Sequence, residues 1–378
     1  MQPIHKSNKL NNVCYDIRGP VLQRAREMEE DGQRIIKLNI GNPAAFGFEV
    51  PEEIQQDVIR NMSKAGGYTD SKGLFEPRKA IMHYTQSKHI NGVTVDDIII
   101  GNGVSELIVM AMQGLLNNGD EILVPMPDYP LWTAAVNLAS GTARHYLCDE
   151  ATGWMPDLKD IESKINANTR GIVVINPNNP TGTLIAKAEL KGFLSKVPKH
   201  VLIVLDEAYD EYLSDEHKSE AINWLKAFDN LIISRTFSKA YGLAGLRVGF
   251  GLTSPEIADL MNRVRQPFNV NSMAQVAAVA SLADEAFVER TRALNQAGMV
   301  QITQGLSELG LEYIPSFGNF VSFKVADAAG VNQRLLAQGV IVRPIANYEM
   351  PDYLRVSVGL FTENERFLEA LKGALRPS

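Results

Sequence analysis

The sequence is poor in cysteine, in long apolar runs and in positive charge, and each shortage excludes a class of protein. Two cysteines in 378 residues, Cys14 and Cys148, cannot build a disulfide framework, so free thiols in a reducing compartment are expected. No run approaches the 18 apolar residues of a membrane helix. The net charge of −7 argues against a nucleic-acid or anionic-membrane surface. We therefore predict a cytoplasmic protein without nucleic-acid or membrane partners.

Histidine is also scarce, and its spacing predicts no metal site. The six histidines have neither a paired carboxylate nor the spacing of metal ligands. They lie at positions 5, 83, 89, 145, 200 and 217. We assign them no functional role.

The most informative stretch is Thr236-Phe-Ser-Lys-Ala-Tyr-Gly-Leu-Ala-Gly-Leu-Arg247. It joins the amine of Lys239 to hydroxyls at Thr236 and Ser238 and to a guanidinium eight residues further on. An amine can form a Schiff base with an aldehyde, and a guanidinium can bind a phosphate. The combination suits an aldehyde cofactor that carries a phosphate, and it predicts pyridoxal phosphate.

Two predicted strands end in polar side chains that suit the same site. Val201-Leu-Ile-Val-Leu205 leads into Asp206-Glu-Ala-Tyr209, and Gly171-Ile-Val-Val-Ile175 leads into a tight loop that presents Asn179. Ligands of open α/β sheets bind at the carboxyl ends of parallel strands. A carboxylate there can keep a pyridine nitrogen protonated, because an opposite charge nearby favours the charged form.

A third apolar run predicts an anion site. Ile98-Ile-Ile100 leads into Gly101-Asn-Gly-Val-Ser-Glu106 and then into a helix-like segment. Glycines followed by a serine at the start of a helix leave amide N–H groups free at the positive end of the helix dipole. This segment is a candidate for binding the phosphate.

The order of the predicted elements indicates the fold class. From about residue 50 to 265, strands alternate with helical stretches, which is typical of a mostly parallel sheet covered on both faces. We predict an α/β protein with a large cofactor-binding domain over 50–265. A smaller α+β domain is predicted from 21–49 together with 266–378. Residues 1–20 are polar and are predicted to form an amino-terminal arm, on which Tyr15 and Arg18 could cover the active site.

Together these motifs resemble the fold-type I, aspartate aminotransferase-like superfamily of pyridoxal-phosphate enzymes over nearly the whole chain. The resemblance implies the fold of that superfamily. It also implies that Lys239 holds the cofactor as a Schiff base and that Asp206 pairs with the pyridine nitrogen. By the same resemblance, Tyr209 and Asn179 bind the ring phenolate oxygen, and Tyr129 stacks on the ring.

The resemblance further implies a phosphate site and a shared active site. The residues that match the phosphate site are Val104 through its backbone N–H, Ser105, Thr236 and Arg247, and Ser238 is a further candidate for binding the cofactor. Tyr68 matches a tyrosine that reaches the phosphate of the neighbouring subunit's cofactor. The active unit is then a homodimer.

Two arginines in the carboxyl-terminal part are candidates for substrate binding. Arg355 matches the family's arginine for the substrate carboxylate, where a planar fork can bind two oxygens at once. Arg343 points to the histidinol-phosphate aminotransferases, in which a pair of arginines receives the substrate phosphate or the carboxylate of glutamate. Gly41, in an early segment that resembles a different subfamily, is expected to shape the opposite side of the pocket.

The two halves of the chain resemble different subfamilies. Residues 183–378 resemble histidinol-phosphate aminotransferases, whereas residues 1–182 resemble bacterial glutamate-pyruvate (alanine) aminotransferases. We therefore predict an aminotransferase that works by a ping-pong exchange between an amino donor and a 2-oxo acid. Histidinol phosphate with 2-oxoglutarate and glutamate is the preferred pairing, and alanine or a broad range of donors is the alternative.

Two other classes of function share this scaffold. Decarboxylases and carbon–sulfur lyases use the same cofactor and are distinguished by their products, since they release carbon dioxide or ammonia without forming glutamate. A non-catalytic effector domain is the other alternative. The combination of Lys239, Asp206 and Arg355, together with the lack of a DNA-binding segment, argues against it.

Overall fold

A computed structural model of the protein describes residues 3–13, 19–41, 47–127 and 129–376. Its strands are β1 (Ile36–Lys37), β2 (Ile98–Gly101), β3 (Glu121–Met126), β4 (Thr142–Leu147), β5 (Thr169–Ile175), β6 (Leu202–Asp206), β7 (Leu231–Thr236), β8 (Gly249–Leu252), β9 (Tyr313–Ile314), β10 (Phe320–Lys324), β11 (Val340–Ile341), β12 (Arg343–Pro344) and β13 (Tyr353–Ser357). Its α-helices are α1 (Gly19–Glu30), α2 (Glu52–Asn61), α3 (Phe75–Ser87), α4 (Gly103–Leu115), α5 (Pro130–Leu138), α6 (Leu158–Lys164), α7 (Lys187–Lys196), α8 (Pro255–Asn262), α9 (Ser272–Leu282), α10 (Glu285–Glu308), α11 (Ala328–Ala337) and α12 (Phe361–Ala374).

A seven-stranded sheet forms the centre of the molecule, in the order β2-β8-β7-β6-β5-β3-β4. Its pairs are parallel except for those of β8, which runs antiparallel to β2 and β7. Every residue of β6 is buried, and β5 is buried at all positions but Arg170. Runs of Val, Ile and Leu suit strands that are covered on both faces. The predicted mostly parallel sheet is confirmed.

Apolar clusters cover the two faces of this sheet. One cluster contains Phe237 and the inward side chains of α3 and α9, and the other contains Trp132 and the inward side chains of α4 and α5. Burial of such large side chains is the main favourable contribution to folding. The sheet is thereby fixed between two helical layers, and its strand ends form a firm base for a site.

A smaller sheet system contains the carboxyl-terminal strands. β12, β13, β10 and β9 form an antiparallel sheet, and β1 pairs in parallel with β11. Its core includes Phe323 and Phe367, whose rings lie 5.8 Å apart, and Leu38 from the segment after β1. Residues near the amino terminus therefore pack with the carboxyl-terminal part of the chain, in the arrangement expected for the smaller α+β domain.

The packing favours a later boundary than the predicted division at residue 266. Helix α9 packs against α2 and α3, and Val270 and Ala274 belong to the core of the large sheet. Ile302, within α10, is a member of the second core. The reason is that α9 buries its alanine-rich surface on the large domain. The division into 50–265 and 21–49 with 266–378 remains a prediction, although this packing places α9 with the large domain.

The described part of the predicted arm lies along α5. A 3-10 helix at Asn8–Asn12 contacts α5, and Asn137 Nδ2 donates to the carbonyl of Asn12 at 3.0 Å. Tyr15 and Arg18 lie outside the described residues. Within the described ranges, no helix is both long and apolar enough to cross a membrane.

Candidate active site

A cavity of about 340 Å³ opens at the carboxyl ends of the parallel strands, between the central sheet and β12 and β13. Such crevices are where open α/β sheets bind ligands. The predicted site residues that line it are Gly41, Val104, Ser105, Tyr129, Asn179, Asp206, Tyr209, Thr236, Ser238, Lys239, Arg247, Arg343 and Arg355. The fold therefore brings residues from distant parts of the sequence to one place.

Lys239 follows β7 and is the amine of this cavity. Burial lowers its pKa to about 8, and the charges of Arg355 and Arg343 act in the same direction, while Asp206 opposes them. Its Nζ lies 5.7 Å from the centre of the Tyr209 ring. With a pKa near 8, roughly a tenth of the amine is unprotonated at pH 7. The amine can then act as a nucleophile or a general base at neutral pH.

Asp206 ends β6 and is buried on the floor of the cavity. Trp132 Nε1 donates to its Oδ2 at 3.1 Å, and the amide of Ala208 donates to its Oδ1 at 3.2 Å. Burial raises the pKa of Asp206, whereas these hydrogen bonds act to lower it. Both oxygens thus have a fixed donor, which sets the orientation of the carboxyl group towards the cavity.

Tyr209 is a buried phenol three residues after Asp206. Burial raises its pKa to about 12, although Arg355 acts in the opposite direction. The edge of its ring meets Phe320, with 5.3 Å between the ring centres. Tyr209 therefore keeps its proton at neutral pH and can donate a hydrogen bond to an oxygen in the cavity.

The amino terminus of α4 and Arg247 form a site for an anion. Asn102 precedes the helix and its side chain makes no capping hydrogen bond. Gly103 has φ of +78°, and a Cβ there would lie 2.5 Å from Nη2 of Arg247. The glycine thus lets the guanidinium approach the first turn, where amide N–H groups and the helix dipole favour negative charge. Thr236 Oγ1 accepts from the amide of Ser238 at 2.9 Å on the same side.

The two predicted substrate arginines lie directly opposite each other on β12 and β13. Arg355 Nη1 donates to Asn179 Oδ1 at 2.5 Å, and the carbonyl of Asn39 accepts from both Arg355 Nη2 and Arg343 Nε, each at 3.3 Å. Arg355 also lies over the ring of Phe320, 5.0 Å from its centre. Burial, followed by the charge of Arg355, lowers the pKa of Arg343.

In the part of the chain that the structure describes, the positive charges of Arg343 and Arg355 are not balanced by hydrogen bonds to a carboxylate. No carboxylate is among their hydrogen-bond partners within the described ranges, and Nε of Arg355 is buried there without a hydrogen-bond partner. Like charges directly opposite each other on neighbouring strands destabilise a sheet. An anionic ligand between the two arginines would remove that cost.

One predicted residue lies away from the cavity. Tyr68 is 88% exposed and stacks on Phe268, with 4.6 Å between the ring centres. It does not line the cavity of its own chain, which suits its predicted role at a neighbouring subunit's site. That role stays a prediction.

Several residues of the site were not predicted. Trp132 holds Asp206, the carbonyl of Asn39 holds both arginines, and the buried ring of Tyr348 lines the cavity beside Arg343. Of these three, only Trp132 could have been suspected from the sequence. Pro130 marks the start of a helix, and Trp132 lies in the first turn of that helix, three residues after the predicted site residue Tyr129.

The chain is similar to known aminotransferases along its length. The family model "Aminotransferase class I and II" matches residues 33–371. The chain is 58% identical over 358 residues to histidinol-phosphate aminotransferase of Methylobacillus flagellatus, covering 94% of this chain and 93% of that protein. It is 57% identical over 251 residues to glutamate-pyruvate aminotransferase of Escherichia coli (strain K12), covering 66% of this chain and 62% of that protein.

A solved structure gives the same result. The crystal structure of an aminotransferase from Escherichia coli superimposes with a TM-score of 0.87 at 41% identity, covering 99% of this chain and 98% of that one. The predicted aspartate aminotransferase-like fold is thereby confirmed. The similarity to histidinol-phosphate aminotransferase extends over nearly the whole chain and is not limited to residues 183–378. The chain is a transaminase and belongs to the class I and II aminotransferase family.

Proposed function

We propose that the cavity holds pyridoxal phosphate and that the enzyme transfers amino groups between histidinol phosphate and 2-oxoglutarate. The observation that carries the proposal is the convergence of an amine with a lowered pKa, a buried carboxylate and an anion site on one cavity. The residues that line the cavity fit this cofactor. The cofactor has an aldehyde for Lys239, a ring nitrogen for Asp206 and a phosphate for the amino terminus of α4.

The phosphate would be held by the first turn of α4 and by the segment after β7. The groups available are the amide of Val104, the hydroxyls of Ser105, Thr236 and Ser238, and the guanidinium of Arg247. The glycine at position 103 supports this assignment, because any Cβ there would lie 2.5 Å from Arg247 Nη2. Charge-assisted hydrogen bonds of this kind are roughly twice as strong as neutral ones.

When bound, pyridoxal phosphate supplies an electron sink for the carbanion that forms at the substrate Cα. Asp206 would hold the protonated ring nitrogen, and Tyr209 and Asn179 would donate to the ring oxygen. Tyr129 would cover one face of the ring. The Nζ of Lys239 would take the proton from the substrate Cα as a base and would then donate it as an acid.

The guanidinium pair of Arg343 and Arg355 supports a substrate that carries two negative charges, either on one phosphate or on two carboxylates. With glutamate or 2-oxoglutarate, Arg355 would bind the carboxylate near the reacting carbon and Arg343 would bind the distal carboxylate. With histidinol phosphate, which has no carboxylate, both guanidinium groups would bind the phosphate. Gly41 lies on the opposite wall, where the absence of a side chain lets Asn319 approach, since a Cβ there would lie 2.5 Å from Nδ2 of Asn319. Similarity over 94% of the chain to a histidinol-phosphate aminotransferase also supports this substrate.

A second candidate is alanine with pyruvate. The similarity to the glutamate-pyruvate aminotransferase of Escherichia coli favours it. Alanine carries a single carboxylate of charge −1, which would leave Arg343 without an anionic partner, whereas a phosphate has about two negative charges and three oxygens that both arginines can bind. We therefore place it behind histidinol phosphate.

The active unit is proposed to be a homodimer with shared sites. Tyr68 and Phe268 expose a stacked aromatic pair, and large apolar side chains are exposed nearby in the chain at Ile59, Met62 and Phe75. Exposed apolar surface of this kind marks a protein interface. A cytoplasmic location follows from the low cysteine content and remains a prediction.

The test is a set of single half-reactions. Glutamate, histidinol phosphate and alanine are added separately to the enzyme loaded with pyridoxal phosphate, and the loss of the cofactor absorbance band is followed. Fast loss with glutamate and histidinol phosphate, but not with alanine, is expected. Fast loss with glutamate and alanine, but not with histidinol phosphate, would establish the second candidate. Release of carbon dioxide or ammonia without glutamate formation would indicate a decarboxylase or a lyase and would contradict both.

An Arg343→Lys variant sharpens the half-reaction test. Lysine keeps the charge but loses the planar fork. We expect its rate at low substrate concentration to fall about 10-fold or more with histidinol phosphate and to change little with alanine. Equal losses for both donors would mean that Arg343 does not bind the distal group.

A further inference from the structure

Helix α5 begins beside the cavity and carries a tryptophan that contacts Asp206. Its first turn follows Tyr129, which lines the cavity, and its third residue is Trp132, which is 1% exposed. The indole Nε1 of Trp132 donates to Oδ2 of Asp206 at 3.1 Å, across 74 positions of sequence. The indole packs with Ile108 and Val204 in the core beneath the cavity. Its position is therefore set by the same packing that fixes the sheet.

The chemistry of an indole makes this hydrogen bond one-directional. The Nε1–H group can only donate, and it neither accepts a proton nor loses one at physiological pH. The amide of Ala208 donates to the other oxygen of Asp206 at 3.2 Å. A carboxylate accepts from both donors without conflict, whereas a protonated carboxyl group must turn its own O–H away from them. Hydrogen bonding to the charged form favours the charged form.

Burial works against that preference. Asp206 is 5% exposed, and burial is the largest influence on its pKa, which it raises. A buried carboxyl group without donors would tend to keep its proton. An uncharged Asp206 could not stabilise a cation beside it in the cavity.

We infer that Trp132 is a positioning residue that keeps Asp206 ionised and aimed at the ring nitrogen of the cofactor. This inference rests on the proposed function, because it assigns the cofactor's cationic nitrogen to Asp206. It adds a role for a residue that does not itself contact the reacting atoms. The rigid link through α5 also ties the position of Tyr129 to that of the carboxylate.

The experiment compares the loaded wild-type enzyme with Trp132→Phe, Trp132→His and Trp224→Phe. Phenylalanine keeps an aromatic ring and removes the N–H, whereas histidine retains a ring N–H donor. Trp224 is also buried, at 5% exposure, but belongs to the opposite core and serves as the matched control. Retention of pyridoxal phosphate during dilution and the pH titration of its absorbance band are the readouts, with thermal melting as a check of folding.

Trp132→Phe is expected to lose the cofactor about 10- to 100-fold faster. This factor corresponds to the free energy that a hydrogen bond to a charged group contributes. The titration midpoint of its absorbance band is expected to move, since the ring nitrogen then faces a less ionised carboxyl group. Trp132→His should recover most of both effects, and Trp224→Phe should behave as wild type.

The inference is overturned if Trp132→Phe folds and retains and titrates the cofactor as wild type does. It is also overturned if the histidine variant is as defective as the phenylalanine variant while both melt normally. Should Trp132→Phe fail to fold, Trp132→His is compared with wild type instead, and the inference is overturned if this variant melts normally but loses the cofactor about 10-fold faster or more. Failure of the wild-type enzyme to take up pyridoxal phosphate would instead remove the proposed function, and this inference with it.

Discussion

Lys239 combines a reactive amine with an environment that lowers its pKa to about 8. The shift has a clear origin. Burial disfavours the ammonium form, and Arg355 and Arg343 repel it, while Asp206 stabilises it. Because a free amine attacks an aldehyde and an ammonium does not, the cofactor should bind covalently only as this group loses its proton.

The expected result is a pH-dependent uptake of pyridoxal phosphate by the cofactor-free enzyme. The rate constant should rise about tenfold per pH unit below pH 8 and become constant above it, because the fraction of free amine does so. An Arg343→Gln variant removes one repelling charge, so the pKa of Lys239 and the midpoint of the profile should rise. Stopped-flow absorbance measures both, with Lys199→Ala as the control. An unchanged midpoint in Arg343→Gln would contradict the electrostatic explanation.

Residues next to the predicted motifs show how much of the site the local sequence determines. Asp206 and Thr236 could be placed together, because each ends a buried run and parallel strands end at one edge of the sheet. Trp132 could not be assigned to Asp206, because its partner lies 74 positions away. Asn39 acts through its carbonyl, which every residue has. A partner of that kind leaves no signal in the side chains.

At the level of elements, the start of α4 depends on a single glycine. Gly103 has φ of +78°, and its missing Cβ leaves room for Arg247 Nη2. Left-handed backbone is strained for other residues, and the added methyl group would displace the guanidinium.

Gly103→Ala is therefore expected to weaken pyridoxal phosphate binding by about 10-fold or more, because it affects both the helix start and Arg247. Gly192→Ala is the matched control, since Gly192 lies within α7 and a Cβ there meets nothing within 4 Å. That variant should be unchanged in binding and more stable by about 0.5–1 kcal/mol. Cofactor titration and thermal melting distinguish the two. Equal affinities for both variants would contradict this account of the phosphate site.

The segment that follows β6 is held by a buried ionic cluster. Arg235 forms ion pairs with Glu207 at 3.0 Å, with Asp210 at 3.2 Å and with Glu211 at 3.3 Å. One guanidinium faces three carboxylates, so the cluster carries excess negative charge. Burial and the neighbouring charge of Asp210 together raise the pKa of Glu207 to about 7 from an ordinary value of 4.5, although Arg235 acts in the opposite direction. This cluster lies beside Asp206 and Tyr209 in sequence and anchors the loop that carries them.

The raised pKa makes stability depend on pH in a definite direction. The folded protein binds the proton on Glu207 more tightly than the unfolded chain, so its contribution is fully present below pH 4.5 and is lost as pH rises through 7. Relative to Glu207→Gln, the wild-type free energy of unfolding should fall between pH 5 and 8 by up to about 3 kcal/mol. Urea denaturation at several pH values measures the slope. The control is Glu220→Gln at an exposed site, and identical slopes for wild type and Glu207→Gln would refute the assignment.

At the scale of the whole molecule, the fold was predictable because its signals are local and repeated. Alternating strands and helices indicated the mostly parallel sheet, and the structure has it. The packing of α9 on the large domain was not predictable, because an alanine-rich helix gives no indication of which core it joins. Association between chains was also not predictable from sequence patterns alone. In the structure it is indicated by exposed apolar side chains such as that of Tyr68.

Shared active sites in a homodimer can be tested by complementation. In a two-fold symmetric dimer, co-expression of Lys239→Ala with Tyr68→Ala produces about half mixed dimers. If Tyr68 serves the neighbouring site, one of the two sites in each mixed dimer has both residues intact. Activity should then recover to about a quarter of wild type. If Tyr68 acts within its own chain, every site carries one substitution, and no recovery above the separately expressed variants would be seen.

The central claim is that Lys239 holds pyridoxal phosphate in the cavity at the strand ends. The most direct measurement is borohydride reduction of the loaded enzyme, followed by proteolysis and mass spectrometry of the peptides. The account predicts that the cofactor remains attached to the peptide containing Lys239, and that Lys239→Ala retains none. Attachment to a different lysine, or no attachment while the enzyme still transfers amino groups, would contradict it.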